Sequence, residues 1–192
     1  MKIVAFNGSP RLLGNTGGAL NVVLDELEKE GVETEHVHVY ESMMNPCNNC
    51  NSCEIRGDGR CINEDDRMNE YMGMMLEADG IILGSPSYFG SCSAQMKILL
   101  ERVGYVSMFC GQPLARKIGG AVVVHDHDGG MSTYTELVGW MLRNRMMVCG
   151  SSPLTILSGK GPGDYEKDRK GYDALRSLAR DMVWAIESSK GL

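Results

Sequence analysis

Apolar segments that look like buried strands alternate along this chain with segments whose apolar residues repeat at helical spacing. This alternation is typical of βαβ units, in which a helix connects two parallel strands. Five strands are predicted, at residues 2–7, 32–40, 79–85, 118–124 and within 147–157. Five helices are predicted, at residues 15–31, 65–78, 91–105, 133–145 and around 175–186. The pattern predicts an α/β fold: a doubly wound, five-stranded parallel sheet in three α/β/α layers.

Length and charge limit the classes of function. The 192 residues predict a single domain over 1–192, and the net charge of −6 argues against binding to nucleic acid or to anionic membranes. No apolar run approaches the roughly 18 residues of a spanning helix, and the N-terminus does not resemble a signal peptide. A cytoplasmic location is therefore expected, where thiols stay reduced.

The loop after the first predicted strand carries the side chains of a phosphate site. It places Ser9, Arg11, Asn15 and Thr16 just before or at the start of a helix. Hydroxyl, amide and guanidinium groups at a helix N-terminus favour an anion, although the loop matches neither the dinucleotide pattern nor a P-loop. The alternative is an ordinary strand–helix turn capped by Asn15 or Thr16.

Four cysteines occur in a long segment without helical or strand periodicity, residues 41–64. They follow the pattern C-x2-C-x2-C and then a fourth after seven residues: Cys47, Cys50, Cys53 and Cys61. This spacing is closer to a ferredoxin cluster than to the paired spacing of structural zinc sites. A zinc site, a redox disulfide and cysteines without a metal remain alternatives. Cys92, Cys110 and Cys149 are interpreted as small apolar residues.

The segments at residues 7–11 and 14–16, the run at 78–91 and the positions 95–97 and 101–102 together resemble the flavodoxin-like NADPH-dependent FMN reductases. The resemblance extends over nearly the whole chain. The cysteine run is similar to that of one branch, the iron–sulfur flavoproteins. The resemblance implies FMN as cofactor and a [4Fe–4S] cluster bound by the four cysteines.

The resemblance also implies that the loop after the third strand contacts FMN. Its residues are Pro86, Ser87, Tyr88, Phe89, Gly90 and Ser91. Proline stiffens the turn, glycine allows close approach of a ligand, and the two aromatic rings offer an apolar wall to a flavin. The alternative is that Tyr88 and Phe89 are core or dimer contacts.

The loop after the fourth strand is also expected beside the flavin. It contributes His125, Gly129 and Gly130, whose glycines permit close approach to a ring. The His125–His127 pair departs from the family pattern. It has three other interpretations: a metal pair, a proton donor near reduced flavin, or a solvated polar loop. The metal pair lacks a nearby third ligand.

The predicted function is electron transfer between a reduced donor and an acceptor through FMN and the cluster. NAD(P)H is a candidate donor, and the partners are small molecules or proteins that give or take electrons. No catalytic acid–base pair or nucleophile is evident in the sequence. A cluster-free NAD(P)H-dependent FMN or quinone reductase and a noncatalytic electron carrier are the alternatives. The resemblance further implies a homodimer or homotetramer.

Overall fold

The computed structural model describes residues 1–190, which form a parallel sheet covered by helices on both faces. Its strands are β1 (Lys2–Asn7), β2 (Glu33–His38), β3 (Gly80–Pro86), β4 (Ile118–His125), β5 (Met147–Val148) and β6 (Ile156–Ser158). The order across the sheet is β2-β1-β3-β4-β5, and β6 also pairs with β4. This is the flavodoxin-like order, and the predicted doubly wound α/β fold is confirmed.

Helices on the two faces enclose separate apolar layers. They are α1 (Asn15–Lys29), α2 (Ser52–Arg56), α3 (Met68–Glu77), α4 (Ala94–Phe109), α5 (Gly130–Arg143) and α6 (Arg169–Lys190). Helices α1 and α6 cover one face, and α3, α4 and α5 cover the other. The central strands β3 and β4 are buried along nearly their whole length, as expected where helices cover both faces. Among residues 1–190, none of the helices is long and apolar enough to span a membrane.

The fifth sheet position differs from its prediction. Two short strands, β5 and β6, pair with different parts of β4 in place of one strand within 147–157. The sequence Gly-Ser-Ser-Pro at residues 150–153 separates them, and these residue types favour turns over a continuous strand.

Helix α5 begins three residues earlier than its predicted start at Thr133. Gly129, at a φ of 75°, precedes it in a left-handed conformation that glycine adopts readily. Thr133 and Glu136 have the spacing of a capping box, the sequence signal for a helix start at Thr133, but they lie inside the helix. The carboxylate of Glu136 binds another loop instead.

Candidate functional site

The sheet changes direction between β1 and β3, and the loops that follow these strands border one cleft. The cleft has a volume of about 370 Å³ and is the position where ligands bind in doubly wound sheets. Its lining residues are Ser9, Arg11, Gly14, Asn15, Thr16, Pro86, Ser87, Tyr88, Val124, Asp126, Gly159 and Lys160. The structure thus brings together all four predicted phosphate residues and the first three predicted ring contacts.

The N-terminus of α1 is open at this cleft. Gly14 precedes the helix and has no side chain that could cap its first N–H groups. The Ser9 and Thr16 side chains are almost fully buried beside it, and the side-chain nitrogen of Asn15 donates to the carbonyl of Gly161 over 2.8 Å. The Oδ1 atom of Asn15 is buried and has no hydrogen-bond partner among residues 1–190. Uncapped N–H groups, two hydroxyls and a nearby guanidinium fit a phosphate group.

The loops after β3 and β4 approach each other too closely for a side chain between them. A Cβ atom on Gly129 would lie 2.5 Å from the Ser87 Oγ and 2.8 Å from the Cα of Gly90. Thr133 Oγ1 and Ser87 Oγ are also hydrogen-bonded at 3.0 Å. Gly129 and Gly90 therefore hold one loop against the other and do not themselves line the cleft.

Four other predicted contacts also lie outside the walls of the cleft. Phe89 is fully exposed at a φ of 51°, and the hydroxyl of Ser91 donates to Glu136. The ring of His125 faces Gly130, where a Cβ would lie 2.7 Å from its Cδ2. The Nδ1 of His125 is buried without a partner among the described residues. These residues stay predictions as flavin contacts.

Hydrogen bonds to the carboxylate of Glu136 connect the loop after β3 to α5. Its carboxylate accepts hydrogen bonds from the Ser91 hydroxyl at 2.8 Å, the Cys92 N–H at 2.9 Å and the Lys97 ammonium at 2.8 Å. Burial alone would raise the pKa of Glu136, but these three donors outweigh it and lower the pKa to about 2. The sequence offered only a helix-start signal here, because the partners of Glu136 lie about 40 residues away.

Substituting Glu136→Gln should weaken the acid dependence of stability. Because the folded pKa lies below the usual 4.5, the carboxylate stabilises the fold above pH 4.5 and loses this effect as the pH falls toward 2. After allowance for solvent screening, we expect wild type to lose about 1 kcal/mol more than Glu136→Gln between pH 5 and pH 3. Urea unfolding at pH 5 and pH 3 would measure the difference. Parallel pH curves for the two proteins would contradict the assignment.

The cleft contains two side chains that sequence reasoning missed, Asp126 and Lys160. Their charged groups lie 3.7 Å apart, and Lys160 comes from the glycine-rich segment after β6. Lys160 lies 149 residues after Arg11 in the chain, so no local pattern could have linked the two. The ammonium group of Lys160 and the guanidinium group of Arg11 therefore both line the cleft at the candidate phosphate site.

All four cysteines of the predicted cluster motif line one small cavity. Its volume is about 70 Å³, and its walls include Arg102, Tyr105 and Val106 of α4. All seven cysteines of the chain are free thiols. Within residues 1–190, no three His, Cys, Asp or Glu side chains surround one point as ligands of a single ion. Ligands of a four-iron cluster each bind a different iron, so their thiolates are spaced more widely than the ligands of a zinc ion.

The backbone between these cysteines turns sharply at asparagines. Asn49 and Asn51 adopt left-handed conformations with φ of 55° and 57°, which asparagine tolerates better than most residues. The N–H of Asn49 also points to the Sγ of Cys47 at 3.4 Å. These turns direct successive cysteines toward the same cavity, and Asn51 precedes the short helix α2 that carries Cys53.

Two buried polar side chains of α4 hold both ends of the cysteine loop. Gln95 accepts from the N–H of Met44 at 2.8 Å, at the start of the loop. Arg102 donates to the carbonyl of Asn63 at 3.1 Å and pairs with Asp66, at the end of the loop. The α3 residue Asn69 exchanges two hydrogen bonds with the backbone of Cys61, at 2.8 and 3.0 Å.

The thiols of the loop differ in their electrostatic environment. A hydrogen bond from Ser52 lowers the pKa of the exposed Cys50. Burial raises the pKa of Cys53, and the neighbouring Cys61 and Cys47 add to this increase. These three thiols line the same cavity. Outside the loop, burial raises the pKa of Cys92 to about 12, as expected for a small residue in the core.

Comparison with known proteins identifies relatives of the whole chain. The family model described as NADPH-dependent FMN reductase matches residues 1–158. An iron–sulfur flavoprotein of Methanocaldococcus jannaschii is 36% identical over 99% of this chain and 100% of its own length. Among solved structures, RosB with a bound riboflavin-phosphate intermediate has a TM-score of 0.79 at 18% identity, covering 100% of this chain and 81% of RosB. An archaeal flavodoxin has a TM-score of 0.63 at 15% identity, covering 97% and 99% of the two chains.

The fold, the cleft and these relatives together define a class of protein, the FMN-dependent oxidoreductases of flavodoxin-like fold. Within it, the chain belongs to the NADPH-dependent FMN reductase family, in the iron–sulfur flavoprotein branch. The family predicted from the loop motifs is therefore confirmed. The partners of such a protein are electron donors and acceptors.

Proposed function

We propose that this protein passes electrons between a reduced donor and an acceptor through FMN and a [4Fe–4S] cluster bound in the same chain. The observation that carries the proposal is the convergence of Cys47, Cys50, Cys53 and Cys61 on one cavity. FMN exchanges electrons in pairs or singly and the cluster exchanges one at a time, so together they connect two-electron and one-electron partners. The chain's own residues bind, orient and shield the two groups.

The cleft after β1 and β3 is proposed to hold FMN by its phosphate end. Ser9, Arg11, Asn15 and Thr16 surround the open N-terminus of α1, where the phosphate would accept hydrogen bonds. Pro86, Ser87 and Tyr88 form the neighbouring wall, where the ring system would lie. Phe89, Gly90, Ser91, His125, Gly129 and Gly130 are proposed to surround its outer edge.

Substituting Arg11→Ala should weaken FMN binding about tenfold or more. A charge-assisted hydrogen bond contributes about 1.5–3 kcal/mol, and tenfold corresponds to about 1.4 kcal/mol. Fluorescence quenching of FMN by the apoprotein would measure the dissociation constant. Arg180→Ala removes the same charge from an exposed position on α6 and serves as the control. Equal affinities for the Arg11 variant and wild type would place the phosphate elsewhere.

NAD(P)H is proposed as the electron donor, on the basis of the family to which the chain belongs. Stopped-flow reduction of the FMN-loaded protein would test it, with NADH and NADPH compared at equal concentrations. Bleaching of the flavin absorbance by either nucleotide supports the donor. Flavin that stays oxidised with both, yet is reduced by dithionite, would exclude them.

Anaerobic reconstitution with ferrous iron, sulfide and FMN tests the cluster. We expect about four irons and four sulfides per chain, a broad absorbance near the flavin bands and an EPR signal after reduction. Zinc in place of iron, or no bound metal, would favour the cluster-free FMN or quinone reductase.

A homodimer or homotetramer is proposed because apolar side chains near the cleft face solvent. They are Leu12, Leu13, Tyr88, Phe89 and Met131, with exposed fractions from 43% to fully exposed. Exposed apolar clusters of this kind mark interaction surfaces. Light scattering should give a mass at least twice the 21.0 kDa of one chain. A monomer at micromolar concentration would contradict association.

A further inference from the structure

Arg102 is a buried cation beside the cysteine cavity. Its side chain is 2% exposed, although arginine is almost never buried unless it is paired. It lies on the apolar side of α4, among Leu99, Val103 and Val106, where a hydrophobic residue would ordinarily pack. A charge at such a position requires partners that offset its loss of hydration.

The guanidinium has three protein partners at the base of the cysteine loop. It pairs with the carboxylate of Asp66 and donates to the carbonyls of Asn45 and Asn63 at 3.2 and 3.1 Å. Asp66 also accepts from the N–H groups of Asn45 and Met68, both at 3.1 Å. These contacts fix the guanidinium, so its charge has a defined position relative to the thiols.

Cys61 is the thiol that this charge faces. Arg102 and Cys61 line the same cavity, and after Asp66 the thiol is the next partner that raises the pKa of Arg102 against the effect of burial. Asn69 holds the backbone of Cys61 from the other side. The thiol therefore lies between two fixed elements, α3 and α4.

We propose that Arg102 is a positioning residue that sets the reduction potential of the cluster at the cysteine site. This assignment rests on the proposed function, because it concerns the group that the four cysteines would bind. Reduction adds one electron to that group from the reduced flavin, with no bond formed or broken, and makes its net charge more negative by one unit. A fixed positive charge next to it stabilises the reduced state and raises the potential, and Asp66 partly offsets this effect.

Shifts of the reduction potential in opposite directions, on substitution of Arg102 and of Asp66, would distinguish this role from a merely structural one. Arg102→Gln removes the cation and should lower the potential, whereas Asp66→Asn removes the anion and should raise it. Arg102→Lys keeps the charge and should restore most of the wild-type value. A purely structural role predicts that Arg102→Gln and Asp66→Asn disturb the site in the same direction.

The experiment is an anaerobic EPR-monitored redox titration of protein reconstituted with iron, sulfide and FMN. We expect Arg102→Gln to change the equilibrium constant for one-electron reduction at least tenfold, which corresponds to 59 mV. Arg60→Gln is the control, since Arg60 lies in the same loop with a side chain that is 57% exposed. Its charge is screened by water, so its variant should keep the wild-type potential.

Each result decides between named outcomes. Arg102→Gln with an unshifted potential, or with the same shift as Arg60→Gln, overturns the assignment. If Arg102→Gln does not fold, Asp66→Asn must still raise the potential, and an unchanged or lower value overturns the assignment. Wild-type protein that takes up no iron would overturn the proposed function and this assignment together. If wild type takes up iron but the variants keep its reduction potential, the assignment of Arg102 is overturned and the proposed function is not.

Discussion

Substituting Cys50→Ala should leave the reconstituted protein with fewer than half of the roughly four irons expected for wild type. Cys50 is the middle cysteine of the C-x2-C-x2-C run, and its side chain lines the cavity with the other three. Loss of one of four thiolate ligands opens a cubane corner, which exposes the iron there to solvent and oxidants. Iron and sulfide analysis after anaerobic reconstitution would measure the loss.

Cys149→Ala is the matched control for this prediction. Cys149 directly follows β5, far from the cavity in the fold, and burial raises its pKa to about 11. Its variant should therefore bind as much iron as wild type. Equal iron in both variants would show that the four-cysteine assignment is wrong.

Substituting Gly129→Val should destabilise the protein by about 3 kcal/mol or more. The position has a φ of 75°, which a β-branched residue adopts only under strain, and its Cβ would lie 2.8 Å from the Cα of Gly90. For a chain of this size, the thermal midpoint should fall by about 6 °C or more. Because the substitution separates the loops after β3 and β4, FMN binding should weaken as well.

Gly73→Ala provides the control. Gly73 lies inside α3, and a Cβ there would have no atom within 4 Å. Alanine at this half-buried helical position, where the Cβ has open space, should stabilise the protein by about 0.5–1 kcal/mol. Calorimetry on the two variants would compare them with wild type. A Gly129→Val protein as stable as wild type would mean that the two loops do not need their close approach.

The sheet could be predicted from local patterns because buried parallel strands require long apolar runs. Residues 81–83 and 121–124 gave such runs, and the predicted start of α1 at Asn15 matches the structure. The position of the candidate phosphate loop then followed from the general rule for doubly wound sheets. The division of the fifth strand into β5 and β6 could not be predicted in this way, because each of them pairs with β4 over only two or three residues.

The polar residues that hold the site together were harder to predict. Glu136 and Arg102 act through partners 36 to 57 residues away, and such contacts leave no local pattern. One signal was nonetheless present for Arg102. It follows Leu99 and precedes Val106 at spacings of three and four residues, so a charge falls on the apolar stripe of a helix. A buried ion pair could have been inferred from that interruption.

Helix α4 has a consequence for how quickly electrons could move. Ser93, at its start, donates to the carbonyl of Gly8 behind the cleft after β1 and β3, and Arg102 reaches the cysteine cavity nine residues later. An α-helix rises 1.5 Å per residue, so these two positions lie about 13 Å apart along one rigid helix. Under the proposed function, transfer between FMN and the cluster, bound near the two ends of α4, needs no movement of one part of the protein against another. Its rate should therefore be the same in water and in viscous glycerol solution, unlike that of enzymes in which a domain must move at each turnover.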